Sequence, residues 1–336
     1  MIKKITIAGN SLADIIKRID AYPSKGMLCR ISEVLPGVGG CVPNTGIILK
    51  TLEPRQLEVS VISRVGDDEN GKFVLNTMRS HGLNVDRMII DKTRPTSFTD
   101  VMTLPNGERT FFCAPAANDA FCEEDVRVEA LDCSIFHIGY LPLLKTLDEA
   151  DAEYGTKMAR LLAKVQARGI ATSVDVVSAE GERFAQVICP ALKYCDYIVV
   201  NEIEAGRITG IPLRDGEKLI RENFRPACAA RMQAGVKKVA AVHCPELGCA
   251  LDASGNFALV PSLRLPKDYI VGSVGAGDAF CAGMLYSFAS GMTCEDGLRL
   301  ASATAACNLH APDSIGGARS LAETMALEKQ FGRLDI

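Results

Sequence analysis

The sequence contains no long run of basic residues, no Cys-x-x-Cys pair, no internal repeat and no low-complexity linker. Nor does it hold an apolar stretch long enough to cross a membrane. Each absence closes a class of function. With 37 Lys and Arg against 41 Asp and Glu the net charge is −4, so no basic patch is available to track a nucleic-acid backbone. The opening run from Ile5 to Ala8 is too short for a signal peptide and reads as a first buried strand. A dinucleotide-binding Gly-x-Gly-x-x-Gly should follow that strand and open a helix. Gly37, Gly39 and Gly40 come too late and are spaced differently. The 13 cysteines are odd in number. Cys244 and Cys249 beside His243 come nearest to a metal cluster, and their spacing is wrong for zinc. Reduced thiols in a cytoplasmic protein are therefore expected.

What remains is material for a core. Apolar residues make up 48% of 336 positions, enough for one large α/β domain or two ordinary ones. Leu28 to Leu35 alternates like a half-exposed strand, and Gly37 to Asn44 reads as a turn before a helix over Thr45 to Leu52. Val59 to Val65 reads as a strand and Phe73 to His81 as a helix. Ser97 to Leu104 and Arg109 to Cys113 flank an Asn-Gly turn and read as a hairpin. Beyond Asp119, strands at Ser134–Ile138, Ala171–Val177, Tyr197–Val200 and Lys238–His243 alternate with helices at Asp151–Arg168 and Glu217–Ala234, the second broken near Pro226. That alternation predicts a three-layer α/β/α domain over residues 1–336, with a central, mostly parallel sheet. The early strand-like pieces interrupt it. They are expected to form a small β-lid from about 14–38 and 94–116.

Gly272-Ser273-Val274-Gly275-Ala276-Gly277-Asp278-Ala279-Phe280 carries the most chemistry. Glycines leave backbone N–H groups uncovered, and the apolar run from Ala279 to Ala289 reads as a buried helix behind them. A helix N-terminus suits a phosphate or an oxyanion. An acid beside that anion can take a proton from an attacking hydroxyl, which fits phosphoryl transfer to an alcohol. On this segment alone, a glycine turn with Asp278 as a helix cap fits equally well. Other segments sit at turns before helices: Gly39-Gly40-Cys41-Val42-Pro43-Asn44, Asn201-Glu202-Ile203-Glu204 after an apolar strand, and Val65-Gly66-Asp67-Asp68-Glu69-Asn70-Gly71, where Asp67 is expected to cap.

Together these segments resemble the ribokinase-like sugar kinase family, in order from Gly9 to about Gly317. The glycine-rich signature matches at Gly275, Ala276, Gly277, Asp278 and Phe280, with Gly272 and Ser273 replacing its usual first residues. The resemblance implies that Asp278 is the catalytic base, with the Gly275, Ala276 and Gly277 amides holding phosphoryl charge. It implies substrate contacts from Asp14, Gly39, Gly40 and Asn44. Arg109 and Asn118, flanking the hairpin, can reach the substrate from the lid. Tyr140 stands where ribokinases use a carboxylate for the sugar. Nucleotide contacts fall to Asn201, His243, Gly248, Gly277 and Ser302, with His243 standing in for a threonine. Asn201 and Glu204 are implied in the Mg²⁺ network, Glu204 acting through water. Asn308, Ala311, Asp313 and Gly317 fall where some members bind a monovalent cation, although Gly272 lacks the acid often used there. Asp175 is kept from an Asp-x-Asn-x-Arg pattern, but Val177 and Ala179 replace its Asn and Arg, which weakens ketogluconate and fructose as substrates.

The expected function is an ATP-dependent kinase acting on a primary hydroxyl of a small sugar or sugar acid. A nucleoside kinase is the alternative within the class, though the lid offers only Phe98, Phe111 and Phe112 as aromatic partners. A non-catalytic sugar or nucleotide sensor is the alternative outside it, and the presence of Asp278 argues against that. The expected partners are sugar and ATP, with no nucleic acid or membrane, and a second copy of the chain packed lid to lid.

Overall fold

The computed structural model describes residues 2–178 and 184–336; Ala179 lies outside them. Eight strands form the central sheet. In spatial order they are Phe257–Pro261, Leu247–Asp252, Val239–His243, Tyr197–Asn201, Ala171–Val176, Ile135–Leu141, Lys3–Gly9 and Leu57–Ile62. The six from Val239–His243 to Leu57–Ile62 are parallel, and the first two close the edge antiparallel. Near-continuous burial of Ile5 to Gly9 and of Ile198 to Val200 is what a sheet covered on both faces requires. One face packs on the Lys157–Ala167, Phe184–Leu192 and Phe224–Ala234 helices. The other packs on Cys41–Leu52, Ala276–Ser290 and Cys294–Leu309. Three layers result, as the alternation predicts. No helix among the described residues is long and apolar enough to cross a membrane.

A separate four-stranded sheet stands off this body, in the order Ile31–Gly39, Leu12–Ile19, Phe98–Thr103, Arg109–Ala114. The hairpin around the Asn-Gly turn is as expected, with Phe98 opposite Ala114 and Thr103 opposite Arg109. The Leu12–Ile19 strand is an addition to the sequence reading. It pairs antiparallel with Ile31–Gly39 and parallel with Phe98–Thr103. The root of this sheet is tied down at Thr96. Its hydroxyl donates to Asp68 Oδ1 (2.5 Å) and accepts from Gly66 N (2.9 Å), and its N–H donates to Asp68 Oδ2 (2.8 Å).

Several boundaries differ from expectation. The glycine-rich segment is the end of a strand, and the helix after it begins at Cys41, so Asn44 lies in its first turn. Asp68, not Asp67, caps the Glu69–Ser80 helix by accepting from Gly71 N. The Asp151 helix begins at Lys157, because Ala150–Asp151 and Gly155–Thr156 form a small ladder first. The helix expected over Glu217–Ala234 begins at Phe224. Pro226 falls in its first turn, where its missing N–H is not needed.

Candidate active site

The Ala276–Ser290 helix starts where Gly275 turns the chain at φ +77°. A Cβ on Gly275 would lie 2.8 Å from Ser314 Cβ, so both conformation and space demand glycine. Ala279 N donates to Gly275 O, while Ala276 N donates to Ser273 O at 3.3 Å. The Ala276 amide, expected to hold charge, is thus engaged in the turn. Asp278 sits in the first turn, almost fully buried.

Two side chains converge on the Asp278 carboxylate. Tyr140 OH donates, lying 2.8 Å from both oxygens, and Asn44 Nδ2 donates to Oδ2 at 2.9 Å. Asn44 Oδ1 in turn accepts from Ser314 Oγ at 2.8 Å. Tyr140 and Asn44, expected as substrate contacts, therefore direct polar atoms at Asp278. Ser314 is a further member of the site, and only its contact with Asn44 reveals it. Burial, reinforced by the Asp175 charge, pushes the Asp278 carboxyl up to about 7 against the pull of these hydrogen bonds.

Asp278, Tyr140 and Gly275 form the wall between two cavities. The larger, of about 1000 Å³, is lined by Asp14, Gly39, Gly40, Asn44 and Asn118 and extends over Leu12, Phe111, Pro142, Leu143 and Val187. Asp14 projects from the lid, and burial pushes its carboxyl up to about 6 against the charge of Arg109. A Cβ on Gly39 would lie 2.6 Å from Asp14 Oδ2, so the glycine clears the space that this carboxylate occupies. Asn118 is buried, and its Oδ1 accepts from Ser11 N at 3.3 Å. Arg109 lies with Asp14 in a neighbouring crevice and donates to Pro312 O at 2.7 Å, bridging the lid to the C-terminal loop.

The smaller cavity, of about 220 Å³, is lined by Asp175, Asn201, Glu204, His243, Ala276 and Gly277, among others. Asn201 and Glu204 form a capping box at the end of a parallel strand: Glu204 N donates to Asn201 Oδ1 and Asn201 N to Glu204 Oε2. Ser178 Oγ donates to Glu204 Oε1 at 2.9 Å. Burial still pushes Glu204 up to about 7. Desolvation drives half-buried His243 down to about 4, so it is neutral there. Gly248 and Ser302 fall elsewhere. Gly248 is in an antiparallel strand, where a Cβ would meet the Phe280 ring at 3.0 Å. Ser302 accepts from Arg333 Nη1 at 3.0 Å and donates to Arg299 O. In the C-terminal loop, Asn308 Nδ2 donates to Val274 O, and Asp313 Oδ1 accepts from Ile315 N and Gly316 N.

Residues 3–320 match the model of the pfkB family carbohydrate kinases. The chain belongs to this family. It is an ATP-dependent carbohydrate kinase. Among curated relatives, 2-dehydro-3-deoxygluconokinase of Escherichia coli K12 is 25% identical over 315 residues, covering 91% of this chain and 94% of its own. Among solved structures, Arabidopsis thaliana ribokinase complexed with ribose and ATP superposes with a TM-score of 0.80 at 21% identity, covering 98% of this chain and 99% of its own. A neighbour from Escherichia coli, solved with ATP and Mg²⁺, gives 0.76 at 19%, covering 98% of this chain and all of its own. At these identities the structural likeness speaks for the fold.

The kinase's own residues fit a divalent cation. Asp278, Glu204 and Asp175 face one small cavity; the first two are held well above the usual carboxylate range, and Asp175 Oδ1 has no hydrogen-bond partner. Buried carboxylates gathered at one cavity are what a hard cation neutralises. Asn201 Oδ1 and both Glu204 oxygens each accept a hydrogen bond, so it is the carboxylate's charge that would suit Glu204 to hold the ion through water.

Proposed function

We propose that this kinase transfers the γ-phosphate of ATP to a primary hydroxyl of a small sugar or sugar acid seated in the larger cavity. One observation carries the reading: the buried Asp278 carboxylate lies between the two cavities, at the N-terminus of a helix and oriented by two donors. In its ionised form Asp278 takes the hydroxyl proton as the substrate oxygen attacks phosphorus. Tyr140 and Asn44 hold that carboxylate in one orientation. The open first-turn amides at Gly275 and Gly277 face the charge that develops on the phosphoryl oxygens. Asp14 accepts from sugar hydroxyls through charge-assisted bonds. Mg²⁺, held through water by Glu204, would neutralise phosphate charge. The lid closes over the substrate and keeps water from competing as acceptor. The proposed setting is the cytoplasm, in keeping with 13 free cysteines.

The apolar extension of the larger cavity favours a second reading, a nucleoside as acceptor, since it leaves room beyond a sugar ring. A coupled assay of ATP consumption over sugars, sugar acids and nucleosides, with and without K⁺, tests both. Turnover with sugars or sugar acids well above the rate with water supports the first reading. Turnover with nucleosides alone replaces it with the second. No acceptor-dependent turnover, with ligand binding retained, would make the chain a sensor.

A further inference from the structure

Away from the site, the Phe224–Ala234 helix buries an arginine completely. Arg231 is 0% exposed. Its Nε and Nη1 have no hydrogen-bond partner, and Nη2 lies 3.4 Å from Cys228 Sγ. An isolated buried guanidinium is strongly unfavourable, and it cannot shed its proton as a lysine can. The structure must supply an anion. The group in contact that can become one is the thiol of Cys228. That sulfur lies 3.7 Å from Cys249 Sγ on the neighbouring Leu247–Asp252 strand, and both cysteines are fully buried.

We propose that Cys228 is a thiolate paired with Arg231, and that Cys249 is the thiol set to close a disulfide with it. The surrounding groups agree. The Cys249 hydrogen bond lowers Cys228 most, burial opposes it, and the Arg231 charge lowers it further. Cys249 is pushed well up by the same contact. The other titratable groups facing the pair are the thiols of Cys244, before the strand, and Cys294, at the next helix start. Burial pushes these up to about 12 and about 11, so neither competes for the role. Asp252 acts on Cys294 and not on the pair.

Both thiols are fully buried, so the pair is a modification site only for a hydroperoxide as small as hydrogen peroxide, admitted by local opening of the helix from the strand. The thiolate sulfur attacks one peroxide oxygen; an S–O bond forms, the O–O bond breaks, and hydroxide or alkoxide leaves. Cys249 sulfur then attacks the resulting sulfenic acid. The S–S bond forms, the S–O bond breaks, and water departs with the Cys249 proton. The disulfide would join the helix to a strand in which Gly248, the residue before Cys249, pairs with His243 on the proposed phosphate side of the site.

Ultraviolet absorbance near 240 nm, where thiolates absorb, tests the ion pair in the full native chain. A thiolate signal at neutral pH that is lost in Cys228→Ser and lost on unfolding supports it. An unchanged spectrum in Cys228→Ser overturns it. If that variant does not fold, the pH titration of the unaltered chain decides. A step below pH 8 supports the pair, and a rise only at ordinary thiol values overturns it. Treatment with hydrogen peroxide, followed by non-reducing peptide mapping, tests the second half. A Cys228–Cys249 linkage, with a dimedone adduct at Cys228 in Cys249→Ser, is expected. Cys228 left reduced, or linked elsewhere, overturns the role of Cys249.

Discussion

The two cavities that meet at Asp278 are built on different principles. The smaller cavity is lined by carboxylates, a neutral histidine and the backbone of a helix start. Its groups are fixed by caps: Glu204 and Asn201 hold each other, and Ser178 holds Glu204. The larger cavity has several times the volume and a mostly apolar surface, with Asp14, Asn44 and Asn118 at one part of its lining and Asp119, Lys145, Asp148 and Glu149 at another. About a quarter of its lining comes from the lid sheet, which leaves Val34 and Phe112 exposed. On the proposed function, the small cavity would take the phosphates and the large one the acceptor, so reaction class and substrate identity would reside in separable parts of the molecule.

Asp278 belongs to both sides, so its loss should have the largest effect. Asp278→Asn is expected to lower kcat by roughly two to four orders of magnitude while ATP binding persists. The same variant tests the electrostatics. The folded carboxyl titrates near 7, against 3.8 as a free side chain, so it binds its proton more tightly when folded. Its contribution to stability is present below 3.8 and is lost as pH rises through about 7. The melting temperature of the ligand-free enzyme should fall as pH rises from 3.8 to about 7, and Asp278→Asn should flatten that fall. A near-normal rate, or an unaltered pH slope, would remove Asp278 from this role.

Next in size is the acceptor side. Asp14→Asn should raise KM for the sugar by about ten- to one-hundredfold, as expected for loss of a charged hydrogen-bond partner. KM for ATP should hardly change. Equal effects on both substrates would erase the division between the cavities.

Tyr140→Phe separates orientation from charge. The hydroxyl donates to Asp278 and pulls its pKa down, so its removal should move the acid limb of kcat/KM to higher pH. The rate at high pH should fall only about tenfold. An unmoved limb would mean that the hydroxyl serves the substrate instead.

Glu204→Gln should raise the Mg²⁺ concentration giving half-maximal rate by several-fold, leaving the sugar KM in place. An unchanged Mg²⁺ titration would confine Glu204 to its capping box.

The smallest effect on turnover should come from the lid's outer face. The proposed lid-to-lid dimer would cover Val34 and its neighbours, and Val34→Lys should dissociate it with little change in kcat. Sedimentation showing only monomer in the unaltered protein at micromolar concentration would sink the dimer.

Legibility in the sequence followed the same division. The glycine-rich turn, the Asn201…Glu204 pair and the parallel alternation were readable because each is local: one turn, one cap, one strand period. The hairpin was readable from its Asn-Gly turn. The Leu12–Ile19 strand was not, since its partners lie at Ile31–Gly39 and Phe98–Thr103, far along the chain. Gly248 and Ser302 were assigned to nucleotide by position in a pattern, whereas the fold gives them packing against Phe280 and a bond from Arg333.

By itself, then, the sequence determined the layered α/β body, the lid hairpin and the glycine turn that opens a helix at Gly275 to Asp278, because periodicity and turn stereochemistry act over a few residues. Only the tertiary structure decided that Tyr140, Asn44 and Ser314 converge on one carboxylate, and that Arg231 is sealed beside two thiols. The physical reason is that burial and contact between distant segments set both the partners and the proton affinity of each group. Neither quantity exists until the chain has closed upon itself.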